Sequence, residues 1–441
     1  MTVDARAGSR LRDIIRRNRA GERLGIYSIC SAHPSVIDAG LQQAIADGSL
    51  LLIESTSSQV NQFGGYTGQT PAQFAAFVRS KATATGLPKE MLILGGDHLG
   101  PYPWREQPCN VALQKACDLV RACVLAGYEK IHLDASMACA DDVRILHEEI
   151  IAERAAVLCR AAENAHQELP EGSPPLLYVI GSEVPTPGGE THPGEGPAVT
   201  TREQLHRTLD LFRAVFDQQN LSEAWERVIG VVVQPGVEFG EKLIFEYDRR
   251  EAQALSASLP EHPCLVYEAH STDYQTPRAL TQMVEDHFAI LKVGPALTFA
   301  YREAIFGLSA VESEYCGGKR GIKLSRVREA LDAAMLRNPS HWRPYYHGSE
   351  DEQRFARAFS YSDRCRYYWP DSTVQEEIDR LIRNLSATPL PLPLVSQYLP
   401  SEYAAIRSGS LEAEPRAIIE HHIREVVRGY AAACGTLDQH P

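Results

Sequence analysis

Four apolar runs in this chain end in groups that can do chemistry. Leu92-Ile93-Leu94-Gly95-Gly96 leads to Asp97 and His98, and Lys130-Ile131-His132-Leu133 leads to Asp134. Leu176-Leu177-Tyr178-Val179-Ile180-Gly181 leads to Ser182 and Glu183, and Cys264-Leu265-Val266-Tyr267 leads to Glu268 and His270. Carboxylates move protons, and imidazoles with carboxylates bind divalent cations, so such groups gathered in one cavity suit metal-assisted acid–base chemistry. Other runs end in Ser31 and His33, in Glu54, and in Gln234, and one run contains Lys292. A buried lysine with a lowered pKa becomes a nucleophile, which raises a Schiff-base reading for Lys292, although no local activating signature accompanies it. Taken singly, each tip has an ordinary explanation, because a Glu after a strand often neighbours a helix N-cap and a lone His is usually satisfied by backbone. Their number is what points to a shared site.

The elements that must position these groups recur along the chain as a short apolar run, a polar tip and a helical stretch. Eight such runs start near Leu24, Leu50, Met91, Glu129, Leu176, Val228, Cys264 and Ala289. Helical stretches are expected at about 35–47, 71–85 and 108–126. Eight strand–helix repeats over about 25–310 predict an α/β fold, a (β/α)8 TIM barrel, whose strand ends converge on one mouth. An open doubly wound sheet fits less well, because no Gly-x-Gly-x-x-Gly turn follows the first strand. Beyond about 320 the pattern changes to polar helices, so the organisation expected is an N-terminal helix (1–24), a barrel (25–320) and a C-terminal helical extension (321–441). The extension carries Arg364-Cys365-Arg366-Tyr367-Tyr368-Trp369, read first as an aromatic anchor and second as a cover for the mouth. The pattern at Arg10–Arg17 suits a surface helix. Two loops stand out: the Gly-rich Gln59–Gly68, whose backbone N–H groups suit a phosphate or polyol, and the Pro/Gly-rich Val184–Pro197.

Charge narrows the function. With 44 Lys and Arg against 57 Asp and Glu, the formal charge is −13. No surplus of cations exists to neutralise a nucleic acid or an anionic membrane, and neither is an expected partner. Ten cysteines without a Cys-x-x-Cys pair, no apolar run that spans a bilayer, and a basic N-terminus without a secretory apolar core give the expectation of a cytoplasmic location. Phosphate-loop, kinase-loop and Gly-x-Ser-x-Gly signatures are absent.

Several long motifs resemble one family. Ile29-Cys30-Ser31-Ala32-His33-Pro34, Gln59–Gly68, Gly95–Pro101, His132–Met137, Gly181–Pro185, Tyr267–Asp273 and the segment from Ser362 to Pro370 are similar to the GatZ/KbaZ family, and the likeness runs from about 10 to 434. Members are known as the accessory subunit of tagatose-1,6-bisphosphate aldolase, and some relatives are 4-epimerases of tagatose 6-phosphate and fructose 6-phosphate. More distantly the chain resembles the class II, metal-dependent aldolases. That likeness implies Asp97 as the proton-transferring acid, His98 as a metal ligand and Glu183 as the metal-site carboxylate. The two remaining metal histidines of those aldolases fall at Gln234 and Glu268. A site built from His98, Glu183, Glu268 and His270 is oxygen-rich and would suit Mn2+ or Mg2+ better than Zn2+. Ser271-Thr272-Asp273 stands where those aldolases carry their Gly-Gly-Ser phosphate loop.

The resemblance therefore implies a divalent metal ion as cofactor and a phosphorylated ketohexose as substrate. Asp97, Glu183 and Glu268 would act catalytically, and Ser31, His33, Gln59, Asn61, His132, Asp134, Gln234 and Lys292 would contact the sugar. The expected reaction is 4-epimerisation by retro-aldol cleavage and re-addition. The alternative is a non-catalytic subunit that stabilises a class II aldolase chain. A homo-oligomer is also expected.

Overall fold

The computed structural model describes residues 7–182, 196–259 and 264–436. Its strands are β1 (Ile26–Ile29), β2 (Leu51–Thr56), β3 (Leu92–Leu99), β4 (Lys130–Leu133), β5 (Leu177–Ile180), β6 (Val228–Val232), β7 (Glu238–Phe239), β8 (Ile244–Phe245), β9 (Val266–Ala269) and β10 (Ile290–Val293). Eight of them close a barrel in the order β1-β10-β9-β6-β5-β4-β3-β2, and every neighbouring pair is parallel. β7 and β8 form a separate antiparallel hairpin. Every residue of the eight barrel strands except Thr56 is buried, as expected where helices cover the outside and side chains fill the inside. This is the (β/α)8 barrel that the eight apolar runs predict.

The strand period of two separates an apolar floor from a charged layer above it. Ile26, Leu52, Ile93, Val266 and Ile290 belong to one buried apolar cluster. Two residues further along their strands stand Ser28, Glu54, Gly95, Glu268 and Lys292. Gly95 has to lack a side chain, since a Cβ there would lie 2.6 Å from Glu54 Oε1. The helix Ala7–Arg19 closes the floor, with Leu11 and Ile15 buried in the same cluster. The Arg10–Arg17 segment is thus more than a surface helix: its arginines face solvent, and its apolar stripe plugs the bottom of the barrel.

Helices cover the outside. Pro34–Asp47, Pro71–Thr85 and Cys109–Leu125 fall at the expected positions. Thr70 and Gln73 form a reciprocal capping box that fixes where the second of these begins. β3 runs through Asp97 to Leu99, and β9 begins at Val266, so Glu268 lies within a strand rather than after one. From Val327 onward the chain is helical, ending in Pro415–Ala433, which packs against Pro34–Asp47, Pro277–Glu285 and Pro295–Cys316. Tyr430 donates its hydroxyl to the Thr272 carbonyl at 2.7 Å and so ties the last helix to the loop after β9. No helix among the described residues is long and apolar enough to cross a membrane.

Candidate active site

The charged layer is built on two buried lysines. Lys130 Nζ lies 2.8 Å from Glu54 Oε1 and 2.7 Å from Glu268 Oε2, with all three side chains wholly buried. Lys292 Nζ contacts the other Glu54 oxygen and lies 3.0 Å from Asp97 Oδ1 and 3.7 Å from Glu268 Oε1. Ser28 donates to Glu54 Oε2 at 2.5 Å. Each carboxylate therefore meets at least one ammonium, which is the condition for burying such groups at all.

Above this layer three imidazoles face one another. The ring centroids of His98, His132 and His270 are 4.8–5.2 Å apart. One ligand atom from each of Asp97, His132, Glu268 and His270 lies within 4.8 Å of all the others. His132 Nδ1 is 3.1 Å from Asp97 Oδ1 and 3.2 Å from the backbone nitrogen of His98; with its proton on Nδ1 it donates to the Asp97 carboxylate, and its buried Nε2, which has no hydrogen-bond partner, keeps a lone pair. Two imidazoles and two carboxylates, one of them with an orphaned nitrogen, are the donor chemistry of a divalent-cation site, so these residues fit a metal ion. Lys292 shares both carboxylates and competes with any cation held there.

Protonation follows from these contacts. Burial alone would raise the Asp97 carboxyl, but His98, Lys292 and the His132 hydrogen bond hold it well below the usual carboxylate range. Glu268 is likewise held well below that range against the cost of burial, by Lys130 and Lys292. Burial lowers His270 to about 4, leaving a neutral ring able to offer a lone pair. His98 goes the other way: despite burial, Asp97 and Asp134 raise it, and its Nδ1 lies 2.7 Å from Asp134 Oδ2. Asp134 Oδ1 in turn accepts the Ser136 hydroxyl at 2.6 Å. Gly100 keeps this arrangement in place, because a Cβ there would lie 1.6 Å from the Asp134 carbonyl. Lys292 is raised well above its ordinary value: burial opposes its charge, but Asp97 leads the anions that outweigh burial. This corrects the Schiff-base reading, since an ammonium packed among carboxylates is not a nucleophile.

These groups open into a cavity lined by Ser31, Gln59, Asp97, His98, His270 and Lys292, together with Cys30, Thr56, Asp273 and Phe239. Tyr66, Tyr102, Arg366 and Tyr367 also line it. The structure thus gathers Asp97, His98, His132, Asp134, Glu268, His270 and Lys292 into one connected group, with Ser31 and Gln59 beside it. His132, and not His98, completes the four-donor cluster, because His98 turns back at φ 48° to meet Asp134. Three expected contacts fall elsewhere. Asn61 accepts the Phe63 and Gly65 N–H groups, and Gln234 accepts those of Gly236 and Val237, so both shape their own loops. His33 faces an adjoining space against Tyr301, with ring centroids 4.2 Å apart. Glu183 and most of the Val184–Pro197 loop lie outside the described residues. Sequence reasoning missed Lys130, and it ranked a place over the mouth for the Arg364–Trp369 segment, where Arg366 and Tyr367 line the cavity, second to an aromatic anchor. For Lys130 the signal was available: it stands two residues before His132 on one strand, and so on the same inward face.

A closed parallel eight-stranded barrel with a buried acid, imidazole and lysine network at one end defines a TIM-barrel protein. The chain belongs to the GatZ/KbaZ-like family, described as D-tagatose-1,6-bisphosphate aldolase subunit GatZ/KbaZ-like, whose model matches residues 11–435. A crystal structure of a probable tagatose 6 phosphate kinase from Sinorhizobium meliloti 1021 is 42% identical, with a TM-score of 0.84 over 93% of this chain and 100% of that one. A fructose-bisphosphate aldolase from Campylobacter jejuni is 13% identical with a TM-score of 0.46, over 86% of this chain and 92% of the other. A putative fructose-1,6-biphosphate aldolase from Coccidioides immitis is 14% identical with a TM-score of 0.43, over 84% and 96%.

Proposed function

We propose that this protein is a divalent-metal-dependent 4-epimerase that interconverts D-tagatose 6-phosphate and D-fructose 6-phosphate. The observation that carries the proposal is the buried cluster of Asp97, His132, Glu268 and His270 opening into a polar cavity. A subunit without chemistry has no need to bury three carboxylates and two lysines at one barrel mouth, where each ion costs several kcal/mol to desolvate. The family description and the name of the 42% identical relative both point to tagatose phosphates.

Carbon 4 of a 2-ketose is not acidic, so the route is cleavage between C3 and C4, rotation of the aldehyde, and re-addition to its other face. His132, Glu268 and His270, with Asp97 beside them, would hold a divalent ion, which when bound would supply Lewis acidity for the ketone. Asp97 has Oδ1 tied to Lys292 and His132, and borders the cavity. Its second oxygen takes the C4 hydroxyl proton as the C3–C4 electron pair moves into the enediolate, and returns it when the bond re-forms. His98, held by Asp134, lies with Nε2 3.8 Å from that oxygen and steadies its charge. Lys130 and Lys292 hold Glu268 in its anionic form, ready to serve as a ligand.

The second reading is an accessory subunit of a class II aldolase, favoured by the family's own description. The test incubates the purified protein alone with tagatose 6-phosphate and Mn2+, with and without chelator, and measures fructose 6-phosphate. Conversion that chelator abolishes supports the epimerase. No conversion with any metal, together with stabilisation of an aldolase chain, overturns it.

A further inference from the structure

The cavity is not walled by the barrel alone. Part of its wall comes from the short turn Arg364–Tyr368 of the C-terminal region, through Arg366 and Tyr367. Arg366 Nη1 donates to the carbonyls of Ser362 at 2.5 Å and Asp363 at 3.1 Å, and Nη2 donates to the Tyr367 hydroxyl at 3.0 Å. Among the described residues no carboxylate oxygen pairs with it within 4.0 Å, whereas Lys292, the other strong cation of the wall, meets three carboxylates. The nearby Asp273 is committed elsewhere, its Oδ1 accepting the N–H groups of Gly294 and Ala296.

Tyr367 is oriented as tightly. Its oxygen accepts from Arg366 at 3.0 Å and from Arg364 at 3.3 Å, so both lone pairs are used and its own proton is what it has to offer. The ring stacks on His341 with centroids 4.6 Å apart and meets Tyr66 edge-on at 4.7 Å. Arg364 lies over the Tyr345 ring at 3.1 Å. Despite burial, the two guanidiniums pull the Tyr367 phenol below its ordinary value, which strengthens it as a donor. A guanidinium with no carboxylate in direct contact, beside a strong O–H donor, is the chemistry that recognises a phosphate monoester.

We propose that Arg366 and Tyr367 bind the phosphate group of the sugar substrate, so that the anion site is supplied by the C-terminal region and not by a barrel loop. The identity of the sugar rests on the epimerase reading; the preference for a phosphate ester does not. Such an anchor lets the phosphorylated aldehyde rotate without leaving the cavity.

The test is calorimetric titration of the full-length protein with fructose 6-phosphate and with fructose, in an Asp97→Asn background where turnover is blocked. We expect fructose 6-phosphate to bind far more tightly than fructose. Arg366→Gln should weaken the phosphate ester by roughly 10- to 150-fold, the loss expected for charged hydrogen bonds, while leaving fructose within about threefold. Tyr367→Phe keeps the ring contacts and removes only the hydroxyl, so it decides the matter if Arg366→Gln fails to fold; it should weaken the ester roughly 5- to 10-fold. Equal binding of ester and free sugar by the parent, or full discrimination retained by both variants, overturns the proposal. Arg366-dependent ester binding in a protein that shows no epimerisation supports it while refuting the epimerase.

Discussion

Replacing Lys130 with methionine probes the charged layer most sharply. The side chain is wholly buried, and its ammonium touches Glu54 at 2.8 Å and Glu268 at 2.7 Å. Methionine fills a similar volume but leaves Glu54 and Glu268 to share the Lys292 ammonium with Asp97. Removing one partner from a buried ion pair costs about 3–5 kcal/mol, chiefly because the other charge stays buried without compensation. The variant should therefore lose about that much stability in urea unfolding followed by the fluorescence of the four tryptophans. Neutralising Glu54 as well, in Lys130→Met with Glu54→Gln, removes one stranded charge, so the double variant should be more stable than the sum of the two single losses predicts. A coupling of about 1–3 kcal/mol is expected for groups in one network. Mn2+ should also raise the melting temperature of Lys130→Met more than that of the parent, because Glu268 Oε2 is released next to the four-donor cluster. Single variants within about 1 kcal/mol of the parent and strictly additive would refute the account of how these charges are packed.

Three further outcomes are expected. Asp134→Asn removes the carboxylate that holds His98 at 2.7 Å, so kcat should fall roughly 10- to 100-fold with little change in KM; an unchanged kcat would show that His98 needs no such support. Leu11→Ala opens a hole in the barrel floor and should cost about 2–5 kcal/mol in unfolding experiments while leaving KM unchanged, since the floor lies below the charged layer. Burial, with Lys81 adding to it, lowers His33 to about 4, against about 6.5 in the unfolded chain. Between those values the unfolded chain takes up a proton that the folded one refuses, so acidification from pH 6.5 to 4 should remove up to about 3 kcal/mol, less what solvent screens at this half-buried ring. His33→Gln should flatten that part of the pH–stability curve, and an unaltered curve would contradict the assignment.

The barrel was legible because each strand is a short apolar run between helical stretches, and the closed parallel order leaves little freedom once eight are counted. The site was legible where a group stands at the end of such a run, as Asp97, Asp134, Glu268 and His270 do. It was less legible where side chains serve the backbone: Asn61 and Gln234 are polar groups at promising positions, but the N–H groups of their own loops take them first. Lys130 was hidden because a lysine opening a strand usually points to solvent, and only its parity with His132 betrays an inward course. The place of Arg366 and Tyr367 at the mouth was only the second reading of their segment, for another reason. Their segment lies some seventy residues beyond the last barrel strand, and no local pattern says which wall it will join. The N-terminal helix shows the same limit, since Leu11 and Ile15 read equally well as a surface stripe until a floor is there to receive them.

The central claim is that this chain by itself breaks and re-forms the C3–C4 bond of a ketohexose 6-phosphate. It is tested most directly by giving the purified protein and Mn2+ tagatose 6-phosphate deuterated at C4. In a retro-aldol route the C4 deuterium stays on the aldehyde throughout. The account predicts fructose 6-phosphate that retains the label, formed only in the absence of chelator. Product that has lost the label to solvent, or no product with any divalent metal, would contradict it.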